Sequence, residues 1–158
     1  MKEIFMNIVL EKPTLLDIEN MQKLVGPEVE SGVILYRSDD EIAQNIRSYV
    51  VAKNSEKIVG FCALHIFSKK LAEIRSIIVD KNYRGCKIGK NMVNFLINEG
   101  KKLHVETIFA LTYEREFFKK IGFKEIDKDK LPKQKIWADC IKCKHFPVCN
   151  EIAFIKQI

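Results

Sequence analysis

The sequence of 158 residues contains no apolar run that approaches the length of a membrane span. Its first ten residues interrupt their apolar positions with Lys2, Glu3 and Asn7, so they lack the continuous hydrophobic region of a signal peptide. No internal repeat, low-complexity segment or linker divides the chain. These absences predict a cytoplasmic protein that forms a single domain over residues 1–158 and has no membrane partner.

A nucleic-acid-binding motif is also missing, although 27 Lys and Arg residues against 21 Asp and Glu residues give a net charge of +6. The basic residues occur as scattered pairs among acidic ones, without the interleaved aromatic residues that nucleic-acid binding requires. We therefore expect no nucleic-acid partner. A cationic surface attracts phosphate groups and acidic small molecules equally well.

The most informative segment that is present runs from Ala72 to Gly89 and continues into the amphipathic stretch Lys90 to Glu99. β-branched residues within 74–79 predict a buried strand, and the apolar period then changes to that of a helix, with Gly100 as its expected stop. Glycines in the intervening loop let the backbone approach a ligand, and unpaired amides at a helix start bind phosphate. The pattern predicts an anionic cofactor that carries a diphosphate.

The other elements follow from apolar periodicity and turn residues, and they indicate an α+β fold. A first helix begins near Thr14 and is expected to end at Gly26-Pro27, and a capping box, Ser38-x-x-Glu41, opens a second. A further helix is predicted over 114–121. Strands are predicted at 4–10, 49–53, 58–67, 107–111, 123–126 and 152–158.

The loop Arg84-x-x-Lys87-x-Gly89 resembles the acetyl-CoA loop of the GNAT acetyltransferase superfamily, which reads Arg/Gln-x-x-Gly-x-Gly/Ala. Lys87 stands at the first glycine, so this position keeps an ordinary backbone conformation or the lysine adopts a left-handed one. The resemblance extends over residues 8–132, in the order of the acetyltransferase domain of N-acetylglutamate synthases. Segments that carry it include 32–38, 59–64, 109–113, 117–123 and Leu131-Pro132.

This resemblance implies a GNAT fold, with one mixed central β-sheet flanked by helices, and acetyl-CoA as the cofactor. It further implies an acyltransferase that transfers acetyl directly to the α-amine of L-glutamate, in arginine biosynthesis. Residues 137–151 resemble the cysteine-bearing ending of short, stand-alone members, which lack an amino-acid-kinase domain. The cofactor-binding residues that the resemblance implies are Ile77, Ile78, Val79, Arg84, Gly85, Cys86, Lys87, Ile88, Gly89 and Lys90.

Glu73 stands where many members of the superfamily carry a catalytic glutamate, so we expect it to act as the general base, directly or through water. Strand alternation predicts that Glu73, Arg75 and Ile77 point to one face. The candidates for binding a substrate carboxylate are Arg75, Arg37 in a stretch that resembles the glutamate-binding entrance, and the segment Lys133 to Lys135. The alternatives are a Glu73–Arg75 pair on a solvated strand face and, for Arg37, a surface arginine at a helix start.

The general acid is less defined, because Phe118 stands where many GNAT enzymes have a tyrosine. Tyr113 lies near enough in the chain to serve instead, and its alternative role is packing over the cofactor or the sheet end. Other acceptors remain open, namely a different small amine or a protein lysine, as does a non-catalytic acyl-CoA sensor. The sequence does not decide between a monomer and a homodimer.

Five cysteines make an odd number, which suits reduced thiols or a metal site better than a secreted disulfide framework. Cys140, Cys143 and Cys149, with His145 between them, would complete a tetrahedral zinc site, although the spacing of the second half is irregular. An iron–sulfur cluster usually requires four thiolates. The other interpretation is a compact loop that packs the thiols over the substrate. We assign no metal and keep these four residues as candidates.

Overall fold

The computed structural model describes residues 7–131, 135, 139 and 150–158. It contains one seven-stranded sheet in the order β1-β2-β3-β4-β5-β7-β6, in which β4 and β5 are parallel and the other neighbours antiparallel. The strands are β1 (Ile8–Glu11), β2 (Tyr49–Asn54), β3 (Lys57–Ile66), β4 (Leu71–Val79), β5 (Thr107–Thr112), β6 (Lys124–Ile126) and β7 (Ile152–Gln157). The α-helices are α1 (Ile18–Glu30), α2 (Asp39–Gln44), α3 (Ile88–Lys102) and α4 (Arg115–Lys120). The predicted mixed sheet flanked by helices is confirmed.

Two apolar cores cover the two faces of the sheet. Helix α3 packs Met92, Val93 and Leu96 on one face, and α1 packs Met21 and Val25 on the other. Both helices therefore bury one apolar stripe, as their sequence period predicts. Within the described ranges, no helix combines the length and the apolar character needed to cross a bilayer.

The parallel strands β4 and β5 pair only at their beginnings, where residues 71–73 face residues 107–109. Both strands continue beyond this short ladder, β4 to Val79 and β5 to Thr112. They separate as they continue, since no further register partners join them. The sheet therefore opens between the second half of β4 and the end of β5.

A β-bulge interrupts β4 at Ser76, whose φ of 57° is left-handed. The register with β3 shifts there. Ala72 and Ile74 belong to the core under α3, and beyond the bulge Ile77 packs on that same core whereas Ile78 joins the core under α1. The prediction that Ile77 shares a face with Glu73 and Arg75 was wrong, because the extra residue inverts the alternation.

Two predicted helix ends were also wrong. Helix α1 continues through Pro27 to Glu30, since Gly26 has no Cβ to clash with the proline ring and Ser31 donates to the Pro27 carbonyl at 3.1 Å. Gly100 lies inside α3 rather than after it, and a Cβ there would lie 3.2 Å from Ile158 Cδ1. This glycine therefore serves close packing instead of termination. Part of the predicted first strand, residues 4–6, lies outside the described residues.

Candidate active site

A cavity of about 390 Å³ lies where β4 and β5 separate. The structure brings Arg37, Glu73, Arg75, Ile77 and Tyr113 together in its wall, so the sequence-predicted catalytic and substrate residues share one site. The wall is formed by residues 32–35, 37, 73–77, 111–114, 118, 128, 131, 135, 139 and 151.

Five charged side chains, each no more than 10% exposed, form a cluster at this cavity, here called the charge cluster: Arg37, Glu73, Arg75, Lys135 and Asp139. The Asp139 carboxylate accepts hydrogen bonds from Arg37 Nη1 at 2.9 Å, Arg75 Nη1 at 3.1 Å and Lys135 Nζ at 3.2 Å. Three cations against two anions leave the cluster with one surplus positive charge. Charges buried at this depth require such pairing.

Glu73 is only 1% exposed, because β4 carries it into the sheet interior. Its Oε2 accepts a hydrogen bond from Lys135 Nζ at 2.7 Å. Its Oε1 lies 3.8 Å from Arg75 Nη1 and is buried without a hydrogen bond to any residue that the structure describes. Glu73 and Arg75 therefore face a buried cavity, and the alternative of a solvated strand face was wrong.

Arg37 lies in the loop between α1 and α2 and is 8% exposed. Its Nη1 donates to Asp139 Oδ1 and, at 2.8 Å, to Glu41 Oε2. In the predicted capping box the Glu41 carboxylate therefore binds Arg37, and the Ser38 hydroxyl caps α2 by accepting from the Glu41 amide. Arg37 Nε is buried and has no hydrogen-bond partner among the described residues. The alternative of a surface arginine was therefore wrong.

The pKa directions show how the charge cluster is balanced. Burial would raise the pKa of Asp139, but Arg37, Lys135 and Arg75 hold it well below its usual range. Burial would lower the pKa of Lys135 and of Arg37, but their carboxylate partners outweigh it and raise both. The pKa of Arg75 is lowered by burial and by the neighbouring Arg37. Asp139 and its cationic partners are therefore ionised at neutral pH.

His65 belongs to the same site and was missed in the sequence. It lies on β3 opposite Glu73, and its Nδ1 is 3.1 Å from Arg75 Nη2. Burial and the Arg75 charge lower the pKa of His65 to about 4, so the neutral ring accepts the arginine hydrogen bond. Antiparallel pairing of β3 with β4 could have located His65 opposite Glu73. No sequence signal indicated Asp139.

The predicted cofactor loop follows β4 directly. Gly85 has a φ of 84°, and Lys87 has a φ of 65°, so the lysine adopts the left-handed alternative. The amides of residues 88–90 precede the first hydrogen bond of α3, which Asn91 donates to the Lys87 carbonyl at 3.0 Å. These amides are therefore the orphan donors of a helix start.

Charge at the cofactor loop favours an anion as well. Arg84, Lys87 and Lys90 are exposed, and the first turn of α3 contains no acidic residue. Cys86 is half-buried in the loop. Orphan amides, a helix N-terminus and three cations match the chemistry of a diphosphate, so the loop fits the cofactor inferred from the sequence.

Of the remaining predicted residues, the structure describes Tyr113 and Phe118 but not the four metal candidates. Tyr113 is half-buried in the cavity wall. Phe118, at the position of the usual tyrosine, is buried, contacts Phe123 edge to face and stacks on Phe154. The metal candidates Cys140, Cys143, His145 and Cys149 lie outside the described residues.

Comparison with known proteins identifies the class to which this fold and site belong. The model of the GNAT acetyltransferase family matches residues 14–123, so the chain belongs to that family. It is an acetyl-CoA-dependent N-acetyltransferase of the GNAT type.

Individual relatives indicate which acetyltransferases the chain is similar to. The chain is 36% identical over 148 residues to an uncharacterized N-acetyltransferase of Chlorobaculum tepidum, covering 91% of this chain and 92% of the relative. It is 31% identical to an amino-acid acetyltransferase of Mycobacterium tuberculosis, over 75% of this chain and 70% of that protein. The fold matches N-acetylglutamate synthase of Neisseria gonorrhoeae, solved with coenzyme A and N-acetylglutamate, with a TM-score of 0.85 at 21% identity. That match covers 99% of this chain but 36% of the larger one.

Proposed function

We propose that this enzyme acetylates the α-amine of a small acidic amino acid, foremost L-glutamate. The observation that carries the proposal is a pair of buried atoms on two residues that line one cavity, Glu73 Oε1 and Arg37 Nε, neither hydrogen-bonded to a described residue. One is an acceptor and the other a donor, and each unsatisfied buried group costs about 1 to 3 kcal/mol. An α-amino acid complements both, because its amine donates and its carboxylate accepts.

The chemistry of acetyl transfer assigns a role to each of these residues. Acetyl-CoA supplies the acetyl group as a thioester; the amine nitrogen forms the N–C bond and the C–S bond breaks. The base passes the proton that nitrogen loses to solvent, and the group that protonates the leaving sulfur regains a proton from solvent. Glu73 Oε1 accepts the amine proton, and Arg37 and Arg75 hold the carboxylate. Residues 84–90 hold the diphosphate, with 77–79 beside the acyl arm. Tyr113 is the proposed proton donor to the leaving sulfur.

The buried guanidinium groups support an acidic substrate over a neutral or cationic amine. The cavity wall balances four cations with four anions, so the support comes from the Arg37 and Arg75 donors rather than from a net charge. A lysine substrate would bring an additional positive charge against these groups, at unfavourable desolvation cost. The names of the amino-acid acetyltransferase relatives support the same substrate class.

The proposal takes residues 1–158 as one acetyltransferase domain in the cytoplasm. Two cysteines of the described part, Cys62 and Cys86, are free thiols, which supports a reducing compartment. The homodimer considered from the sequence stays a prediction for a sedimentation measurement.

The test is a steady-state assay of thiol release from acetyl-CoA across the free amino acids. We expect glutamate to have the highest kcat/KM, its neutral amide isostere glutamine a lower one, and lysine no turnover. Arg37→Met should raise the glutamate KM about 10-fold or more, because a buried carboxylate loses its charged partner. Arg47→Met, at an exposed arginine, is the matched control and should keep the wild-type KM.

Two outcomes would contradict this function. Preference for a basic amine or a protein lysine over glutamate would remove the substrate assignment while leaving the family unchanged. Tight acetyl-CoA binding without turnover on any amine would favour the acyl-CoA sensor instead.

A further inference from the structure

Two members of the charge cluster, Lys135 and Asp139, lie four positions apart and contact each other. The amide of Asp139 donates to the Lys135 carbonyl at 2.9 Å. This pair meets β4, since Lys135 contacts Glu73 and Asp139 contacts Arg75, and Asp139 also contacts Arg37 in the loop before α2. We call Lys135 and Asp139 the charge clamp.

We propose that the charge clamp is a positioning device that determines which atoms of Glu73 and Arg37 remain available to the substrate. Lys135 holds Glu73 Oε2, which leaves Oε1 as the basic oxygen. Asp139 holds the Nη1 atoms of both arginines, which leaves Arg37 Nε for the carboxylate. The inference rests on the proposed function, because it assigns a role to the same two substrate-facing atoms.

The geometry around Glu73 explains why its carboxylate needs such a partner. Its two oxygens are chemically equivalent, and Arg75 Nη1 lies 3.8 Å from Oε1, too far for a hydrogen bond but close enough to attract it. Without Lys135 the carboxylate would lose its one hydrogen bond to a described residue. It would then turn toward Arg75 or take up a proton, and either change removes the basic oxygen at neutral pH.

The other charged groups around Glu73 keep their protonation state between roughly pH 6 and 9. Arg37 and Arg75 stay cationic, Asp139 stays anionic, and His65 across the strand is neutral above its pKa of about 4. A change in the activity profile between roughly pH 6 and 9 on replacing Lys135 therefore reports the Lys135–Glu73 pair.

The first experiment compares Lys135→Met with Lys130→Met, which removes an exposed lysine five residues earlier. We expect Lys135→Met to lower kcat for glutamate about 10-fold or more with less than a 3-fold change in KM. The pH dependence of kcat should differ from wild type, because the carboxylate has lost the cation beside it. Lys135→Arg keeps the charge and should restore most of the profile.

The second experiment tests the other half of the clamp. Asp139→Asn should raise the glutamate KM about 10-fold with a smaller effect on kcat, because the two guanidinium groups lose their fixed orientation. Asp129→Asn, at an exposed aspartate, is the control and should resemble wild type. A fall in kcat at unchanged KM would contradict the role assigned to Asp139.

A double-variant comparison separates positioning from simple loss of structure. In a Glu73→Gln background, Lys135→Met should reduce kcat by less than 3-fold further, since Lys135 acts through Glu73. This double variant leaves no carboxylate at position 73 without its cation, and circular dichroism checks that each variant is folded. An equal reduction in both backgrounds would overturn the inference.

The remaining outcomes distinguish this inference from the function on which it rests. Glutamate turnover by wild type, with kcat and pH profile unchanged in Lys135→Met, would overturn the clamp alone. Absence of amino-acid turnover by wild type would overturn the proposed function and the clamp together.

Discussion

At the scale of single residues, Glu73 combines a nearly complete burial with one carboxylate oxygen that has no described partner. Both features result from its place in β4, just before the bulge at Ser76 turns the strand. In the proposed function, Oε1 is the oxygen that accepts the amine proton, because it has no hydrogen bond to a described residue. The residue-scale predictions concern this atom and the loop that follows β4.

Glu73→Gln keeps the shape of the side chain and removes its basicity. If Glu73 is the general base, we expect kcat to fall about 100-fold to 10,000-fold while acetyl-CoA affinity changes little. The residual rate should rise with pH as more of the amine loses its proton in solution. Steady-state kinetics with calorimetry checks both parts, and Glu56→Gln at an exposed turn is the control. Near-normal turnover at neutral pH would make Glu73 dispensable.

Gly89→Asp should weaken acetyl-CoA binding sharply, because it adds bulk and negative charge in the first turn of α3. Gly89→Ala separates the two effects: its Cβ would lie 3.2 Å from Phe117 Cε1, so it adds the steric contact without the charge. We expect calorimetry to show a small loss of affinity for Ala and at least a further 10-fold loss for Asp. If the folded Gly89→Asp variant binds acetyl-CoA as tightly as wild type does, this loop is not the diphosphate site.

At the scale of helices and strands, Gly100 shows how packing decides whether a glycine ends a helix. Replacement by alanine gains about 1 kcal/mol of helix propensity, and the tight neighbour is the tip of Ile158, which can shift. We therefore expect Gly100→Ala to be neutral or slightly stabilising. Gly100→Leu should cost about 1 to 3 kcal/mol by overpacking against Ile108 and Leu64. Urea denaturation measures both; two equal destabilisations would contradict this account.

Local sequence patterns predicted most elements, because period and turn chemistry act within a few residues. The strands predicted at 49–53 and 58–67 and the strand–loop–helix around residues 72–99 were confirmed. The bulge could not be predicted, since Ser76 is not a residue that normally marks a left-handed backbone. One such residue was enough to reverse the face assigned to Ile77.

The site was predictable only in part for a related reason. Glu73 and Arg37 followed from the family resemblance and Arg75 from strand alternation, and the structure places the three in one cavity wall. Asp139 joins them through contacts that span 102 positions to Arg37 and 64 to Arg75. No periodicity or motif spacing reports pairings of that range, so the centre of the charge cluster emerged only from the fold.

At the scale of the whole molecule, stability should depend on pH through buried groups. The pKa of His65 is about 4 in the folded state and about 6.5 when unfolded, so between these values only the unfolded chain binds the proton. Stability therefore falls as pH is lowered from about 6.5 to about 4. Asp139, whose pKa is depressed by folding, adds a loss in the same direction below about pH 4.

His65→Gln tests this dependence because the amide oxygen still accepts from Arg75 but does not titrate. We expect the variant to lose less stability than wild type between pH 6.5 and 4 in urea titrations. His104→Gln, at an exposed histidine after α3, is the control and should keep the wild-type slope. Identical pH slopes in all three proteins would exclude His65 as a source of the effect.

The position of β7 has a consequence for the order in which the molecule assembles. β7 lies between β5 and β6, although both precede it in the chain, and within the described residues β6 pairs with no other strand. During synthesis β6 therefore has no strand to pair with until residues 152–157 emerge. Joining β7 closes contacts of long sequence separation, which are slow to form. The part of the cavity wall that contains Glu151 therefore forms last, so the nascent chain lacks a complete cavity until β7 has paired.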